Sequence, residues 1–357
     1  IDQSEQKRKK GLTMRKWTRA LALLLAAVLA LSLGACGKKA DEKVLNVFTW
    51  ATYFPDDILA EFTEQTGIKV NYSTFESNEE MLMKLESGGE YDIVLASDYI
   101  IDIARGQGLL MELDKSKIPN FKNINPTYQN TFFDPDNQYV VPYSAGVPMI
   151  IYNPAMTGGV EIKGYEDLWN PAFADSVVVM DDARNIIGIT LKTMGKSFNE
   201  TDPAVLEQAK EKLMTLRPNI RAFDYNTPYN LMISGETAVG YMFTSQVITA
   251  LNANPELKTV YPAEGVGFGI DAVFIPAKAP HADNAHAFLD FILDGERSAR
   301  ITEQTFYGSC NSAATPYITN PLLVIPDDAI RSGESIKDVG EEATALFNDI
   351  WTEFKQS

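Results

Sequence analysis

The stretch Val44–Ser77, VLNVFTWATYFPDDILAEFTEQTGIKVNYSTFES, constrains the fold most, because it holds a strand, a helix and a second strand in one run. Leu45, Val47 and Phe48 supply apolar strand positions. Pro55 suits a helix start, Ile58, Leu59 and Phe62 share one helical face, and Gly67 is suited to close that helix. Ile68 to Tyr72 reads as the second strand. Such a β-α-β unit belongs to an open α/β sheet, whose ligands lie at the carboxyl ends of its strands. Trp50-Ala51-Thr52-Tyr53 falls at such an end. Its two rings suit either a ligand wall or a cover over the sheet edge.

A chain of 357 residues is long enough for two lobes with separate cores. Residues 1–36 are set apart from them. Arg15, Lys16 and Arg19 precede the apolar run Ala20 to Leu33, which ends in Leu33-Gly34-Ala35-Cys36, the pattern of a signal peptide. Fourteen apolar residues are too few for a membrane span, and the small-small-cysteine ending resembles a bacterial lipobox. That resemblance implies cleavage before Cys36, lipidation of its sulfur, and a protein held on the outer face of the cytoplasmic membrane. Met14 is the expected start, and residues 37–43 are the expected tether. Removing residues 1–35 takes away seven Lys/Arg and two Asp/Glu, so the formal charge moves from −17 to −22. Such acidity argues against nucleic acid as a partner and favours cationic solutes only weakly. With Cys36 lipidated, Cys310 is the one cysteine left, expected as a buried thiol without an intramolecular disulfide.

Along the mature chain, Ser77 with Glu80 forms a capping-box pattern, and Gly88-Gly89 ends the helix it opens. The strand Tyr91 to Ala96 then delivers Ser97-Asp98-Tyr99 to the same sheet edge as Trp50, and two such clusters on one edge suggest a pocket. Asp134 to Asn137 reads as a turn, Tyr139 to Tyr143 as a strand, and Ala145 to Tyr152 as an apolar run broken by Pro148, where a crossover to a second lobe is expected. The α/β alternation resumes with strands Val177 to Met180, Val239 to Phe243 and Ala272 to Ile275. Helices are predicted from Ala183, from Thr201-Asp202-Pro203, and over the stripe Ala285, Phe288, Leu289, Ile292.

Several chemistries have no pattern here. His281 and His286 form no metal trio, so no metal or other cofactor is implied. Gly265, Gly267 and Gly269 lack the following helix that a phosphate site needs, and a turn or hinge is expected instead. Asp181 and Asp182 are adjacent on a strand, so only one of them faces a given site. No catalytic residues are assigned.

Read in order, the clusters resemble the polyamine-binding proteins of bacterial ABC importers, the spermidine/putrescine receptors. The resemblance is carried by FTWATYFPDDILAEFTEQTGIKVNYSTFESNE, YDIVLASDYIID, LDKSKIPNF, DPDNQYVVPY, VVVMDDAR, LRPNIRAF, AVFIPAKA and KDVG, and it spans nearly the whole mature chain. It implies an α/β, two-lobed type II periplasmic-binding-protein fold with the ligand cleft between the lobes. Lobe 1 is expected to hold 44–146 and 271–315, and lobe 2 147–270 and 316–357. A polyamine or related amine ligand, an ABC permease partner, contact with the membrane through the lipid alone, and a monomer are the corresponding expectations.

By the same resemblance, Trp50 and Tyr53 match an aromatic wall and Ser97 with Tyr99 the opposite rim. Asp182 and Asp271 match acids that accept ammonium groups, and Tyr307 matches an aromatic of the putrescine receptors. The chain also departs from the family. Asn185 stands where a glutamate is common, Thr52 replaces an acid, Phe243 a tryptophan, Gly269 an aromatic, Gln246 an aspartate and Ile336 a glutamine. Asp98 is expected to restore one charge and Tyr225 some aromatic area. With fewer acceptors, a diamine or a monocationic or zwitterionic amine competes with a triamine. A ligand-loaded sensor of a membrane signalling partner is the alternative in another class, whereas catalysis lacks a nucleophile and anion binding lacks donors.

Overall fold

The computed structural model describes residues 43–357, so the signal peptide, Cys36 and most of the tether lie outside the described residues. Strand β1 (Val44–Thr49) buries Leu45, Val47 and Phe48 and leads to the helix Asp56–Thr66, with Pro55 at its N-cap. Gly67, at φ +72°, closes that helix by donating its N–H to Thr63 O. After β2 (Lys69–Thr74), Ser77 caps the helix Asn78–Glu86 by accepting from Glu80 N at 3.1 Å. Next come β3 (Ile93–Ser97), β4 (Val140–Gly146), β5 (Pro148–Tyr152), β6 (Val177–Val179), β7 (Ile220–Phe223), β8 (Val239–Phe243), β9 (Lys258–Val260), β10 (Gly267–Phe274), β11 (Gly308–Ser309) and β12 (Glu334–Ser335).

These strands form two sheets. The first runs β11-β4-β10-β3-β1-β2, with β12 beside the start of β10, and the second runs β7-β6-β8-β5-β9. In the first sheet β2 and β3 are parallel to β1, while β10 is antiparallel to both β3 and β4. The carboxyl ends of β1, β3 and β4 therefore share one edge. In the second, β6 is parallel to β7 and to β8, and β5 enters from their carboxyl edge, with Pro148 opposite Phe243. Only Val147 separates β4 from β5, so the chain passes directly from one sheet to the other at the edge where both sets of strands end.

Two expectations need correction. Gly265, at φ +92°, is a turn, but Gly267 and Gly269 lie within β10, which begins five residues before the predicted Ala272. The tail also divides differently from the predicted boundary at 316. Ile325 and Ile330 pack in the core of the first sheet and β12 pairs with β10, whereas Phe347, Ile350, Trp351 and Phe354 of the helix Gly340–Gln356 join the core of the second.

Phe198 joins the two layers. It belongs to the core of the second sheet, yet a Cβ on Gly267 of β10 would come within 2.7 Å of its ring, and one on Gly188 within 2.2 Å. Both glycines are thus notches cut to the shape of one side chain. The Glu334 carboxylate of β12 holds the flanking residues, accepting from Ser197 Oγ, from Phe198 N at 3.0 Å and from Asn199 Nδ2 at 3.1 Å.

Candidate functional site

Where the strand ends of the two sheets meet, they enclose a cavity of about 760 Å³. From the first sheet, the segment after β1 contributes Trp50, Thr52 and Tyr53, the end of β3 contributes Ser97 and Tyr99, and β10 contributes Asp271, with Tyr307 just before β11. From the second, Asp182 and Asn185 follow β6, Tyr225 follows β7, and Phe243 and Gln246 mark the end of β8 and the helix behind it. These twelve sequence-predicted residues are brought together because each stands at or next to a strand end on the shared edge, except Asp271, which lies inside β10.

Asp98 is the exception among the predicted residues. It is 3% exposed and turns away from the cavity, its carboxylate accepting from Tyr99 N at 2.8 Å and Ile270 N at 3.1 Å. As the first residue of the helix Asp98–Gly106 it accepts a free N–H of that end from Tyr99, while Ile270 N of β10 holds its other carboxylate oxygen in the protein interior. It therefore restores no charge to the site. Residues that sequence reasoning did not assign to the cavity include Phe75 and Glu76. The rule that picked out Trp50 would have found them, since they follow the carboxyl end of β2 as Trp50 follows that of β1.

Among the described residues, three carboxylates, Glu76, Asp182 and Asp271, line the cavity, and no lysine, arginine or histidine does. Asp271 receives the Tyr53 hydroxyl at 2.8 Å. Burial raises its pKa above the ordinary carboxylate range, against the opposing pull of hydrogen bonds from Tyr53 and Ser97. Asp182 caps the helix Ala183–Thr193, accepting Asn185 N at 2.9 Å and Asn185 Nδ2 at 3.0 Å. Asp181 points elsewhere, to Trp351 Nε1 and Lys355 Nζ, both at 2.8 Å. The Asn185 amide is fixed by its bond to Asp182, which leaves its buried Oδ1 without a partner among the described residues.

The aromatic groups are held by one another and by backbone. Trp50 meets Phe75 edge-on at 4.5 Å, Tyr53 and Tyr307 lie 5.2 Å apart, and Tyr225, half exposed at the mouth, meets Phe243 at 6.0 Å. Gln246 spends its amide on Phe243 N and Tyr225 O, so it anchors that loop. Tyr99 is engaged with Asn78 and Glu79, and burial pushes its hydroxyl up to about 12.

Burial, followed by the charge of nearby Asp271, pushes Asp98 up to about 7, against hydrogen bonds that favour its charged form. Between about pH 4 and pH 7 the folded chain keeps a proton that the unfolded chain has released. Stability associated with this group is thus largest below pH 4 and declines as pH rises to 7. A carboxyl ¹³C NMR titration should place the Asp98 midpoint within a unit of 7. A cation held at Asp271 should lower it, and a midpoint near 4 would refute the assignment.

Residues 57–323 match the family model for bacterial extracellular solute-binding proteins. The chain is 37% identical to a spermidine/putrescine-binding periplasmic protein of Salmonella typhimurium, over 96% of this chain and 99% of that one. Among solved structures it resembles a spermidine/putrescine ABC transporter substrate-binding protein from Streptococcus pneumoniae, with a TM-score of 0.80 and 32% identity over 88% of this chain and 98% of the other. A lipoprotein of Treponema pallidum is similar at a TM-score of 0.76 and 26% identity, covering 87% of this chain and 99% of that one. With two α/β sheets, strand ends that converge on one cavity, and relatives matched over nearly their whole length, the chain belongs to the bacterial extracellular solute-binding proteins.

Proposed function

We propose that this protein is an extracytoplasmic receptor that binds a polyamine in the cavity and delivers it to an ABC permease, without catalysis. The observation that carries this reading is the lining, in which, among the described residues, three carboxylates and several aromatic faces occur with no basic side chain. A polyamine is a methylene chain bearing point charges. Aromatic faces bury the methylenes and add about 0.5–2 kcal/mol per cation, and each buried ammonium requires a carboxylate. Asp182 and Asp271, on opposite sheets, suit the two ends of a diamine, and Asn185 Oδ1 offers an acceptor for an ammonium N–H beside Asp182.

In this reading lobe 1 comprises 44–146 and 267–335, and lobe 2 comprises 148–266 and 340–356. The protein acts as a monomer, held on the outer face of the membrane by lipid on Cys36. The lipobox pattern and the likeness to a solved lipoprotein support the anchor. The test is calorimetry of the chain from Gly37 onward against putrescine, cadaverine, spermidine, spermine and agmatine, after unfolding and refolding to remove carried-over ligand. Micromolar or tighter binding of at least one amine is expected, with a diamine preferred. If none of the five binds, the polyamine reading fails.

A further inference from the structure

In the pairing of β10 with β4, Asp271 stands opposite Ser144 and Ala272 opposite Pro142, so Tyr143 is an extra residue on β4. Pro142 has no N–H to give the ladder, and a central strand accommodates a proline at such an irregularity. A bulge re-aims the side chain it carries. Here the Tyr143 hydroxyl donates to Tyr53 O at 2.6 Å, while its ring meets Phe54 edge-on at 5.1 Å. Tyr53 in turn donates its own hydroxyl to Asp271.

The other end of the same loop is held in the same way, by the Tyr72 hydroxyl of β2 donating to Trp50 O at 2.9 Å. Between the two anchored carbonyls lies Thr52, at φ +66°. A β-branched residue in the left-handed region is strained, and such a conformation persists only where the surroundings impose it. Two tyrosine hydroxyls, one of them on a bulge, supply that constraint.

We infer that Tyr143 and Tyr72 are positioning residues that set the ligand-facing segment Trp50–Tyr53 by its backbone, Tyr143 acting on the amine through Tyr53 and Asp271. This rests on the proposed amine binding. Neither tyrosine lines the cavity, so their effect on a ligand is indirect.

Tyr143→Phe keeps the ring and the bulge and removes only the donor. It is expected to weaken binding of the preferred amine about five- to tenfold, the effect of one hydrogen bond. The decisive measurement is a cycle with Tyr53→Phe, because loss of packing alone gives independent effects. If Tyr143 acts through Tyr53, the double variant binds within about twofold of Tyr53→Phe alone. Wild-type affinity in Tyr143→Phe, or losses that multiply in the double variant, would overturn the inference even where the wild-type protein binds amine. Should circular dichroism show Tyr143→Phe unfolded, Tyr72→Phe is measured with the same amine. A several-fold loss with altered Trp50 emission then supports the clamp, and unchanged affinity and emission overturn it.

Discussion

Asp271→Asn should weaken binding of a diamine by at least tenfold while leaving the ligand-free protein as stable as before, or more so. The two effects differ in sign because they arise from different partners. Within β10 the Asp271 carboxylate has, among the described residues, no cation beside it, only the hydroxyls of Tyr53, at 2.8 Å, and Ser97, and burial disfavours its charge. An asparagine removes that charge from a poorly solvated place and still accepts from Tyr53 through its carbonyl. With an ammonium bound, the same carboxylate forms a charge-assisted pair. Its loss leaves the buried cation without a counter-charge, a penalty of about 1.4 kcal/mol or more. Calorimetry and thermal unfolding of the ligand-free variant read the two terms separately. Unchanged affinity would move the ammonium to Asp182 or Glu76.

Phe198→Ala should have the largest effect on folding. The ring is fully buried and abuts Gly188 and Gly267, which have no side chains able to fill the space it would leave. Phenylalanine to alanine in a core costs about 3–5 kcal/mol, and a site walled by backbone collapses least. A shift of the urea midpoint corresponding to at least 3 kcal/mol is expected. A change below 1 kcal/mol would mean that neighbouring side chains refill the socket.

Much of this arrangement is legible from residue order. The cap at Ser77 and the meeting of the segments after β1 and β3 follow from local signals and the strand-end rule, whereas Asp182, Asn185, Phe243 and Gln246 come from the family resemblance. Asp181 and Asp182 do diverge, but as residues beyond the end of β6, Asp182 being a helix cap, and not as neighbours on a strand. What escaped that reading depends on distant partners. Gly267 and Gly269 look like a turn because glycine lowers strand propensity, and only Phe198, 69 residues earlier in sequence than Gly267, explains why side chains are absent at Gly267. Asp98 looks like a site acid because its neighbours Ser97 and Tyr99 face the cavity. Its inward turn depends on Ile270 N, 172 residues away. Tyr143 is unremarkable until the ladder shows that it has no opposite number.

The Phe198 socket also governs how the cavity can change shape. A ring seated in two backbone notches resists being slid or withdrawn, since either motion drives it into main chain or opens a void in a close-packed interior. Gly188 and Phe198 belong to the second sheet's layer and Gly267 to the first's, so the socket interlocks the two layers beside Ile336, which also lines the cavity. Sliding of one sheet over the other is therefore restrained on that side of the cavity.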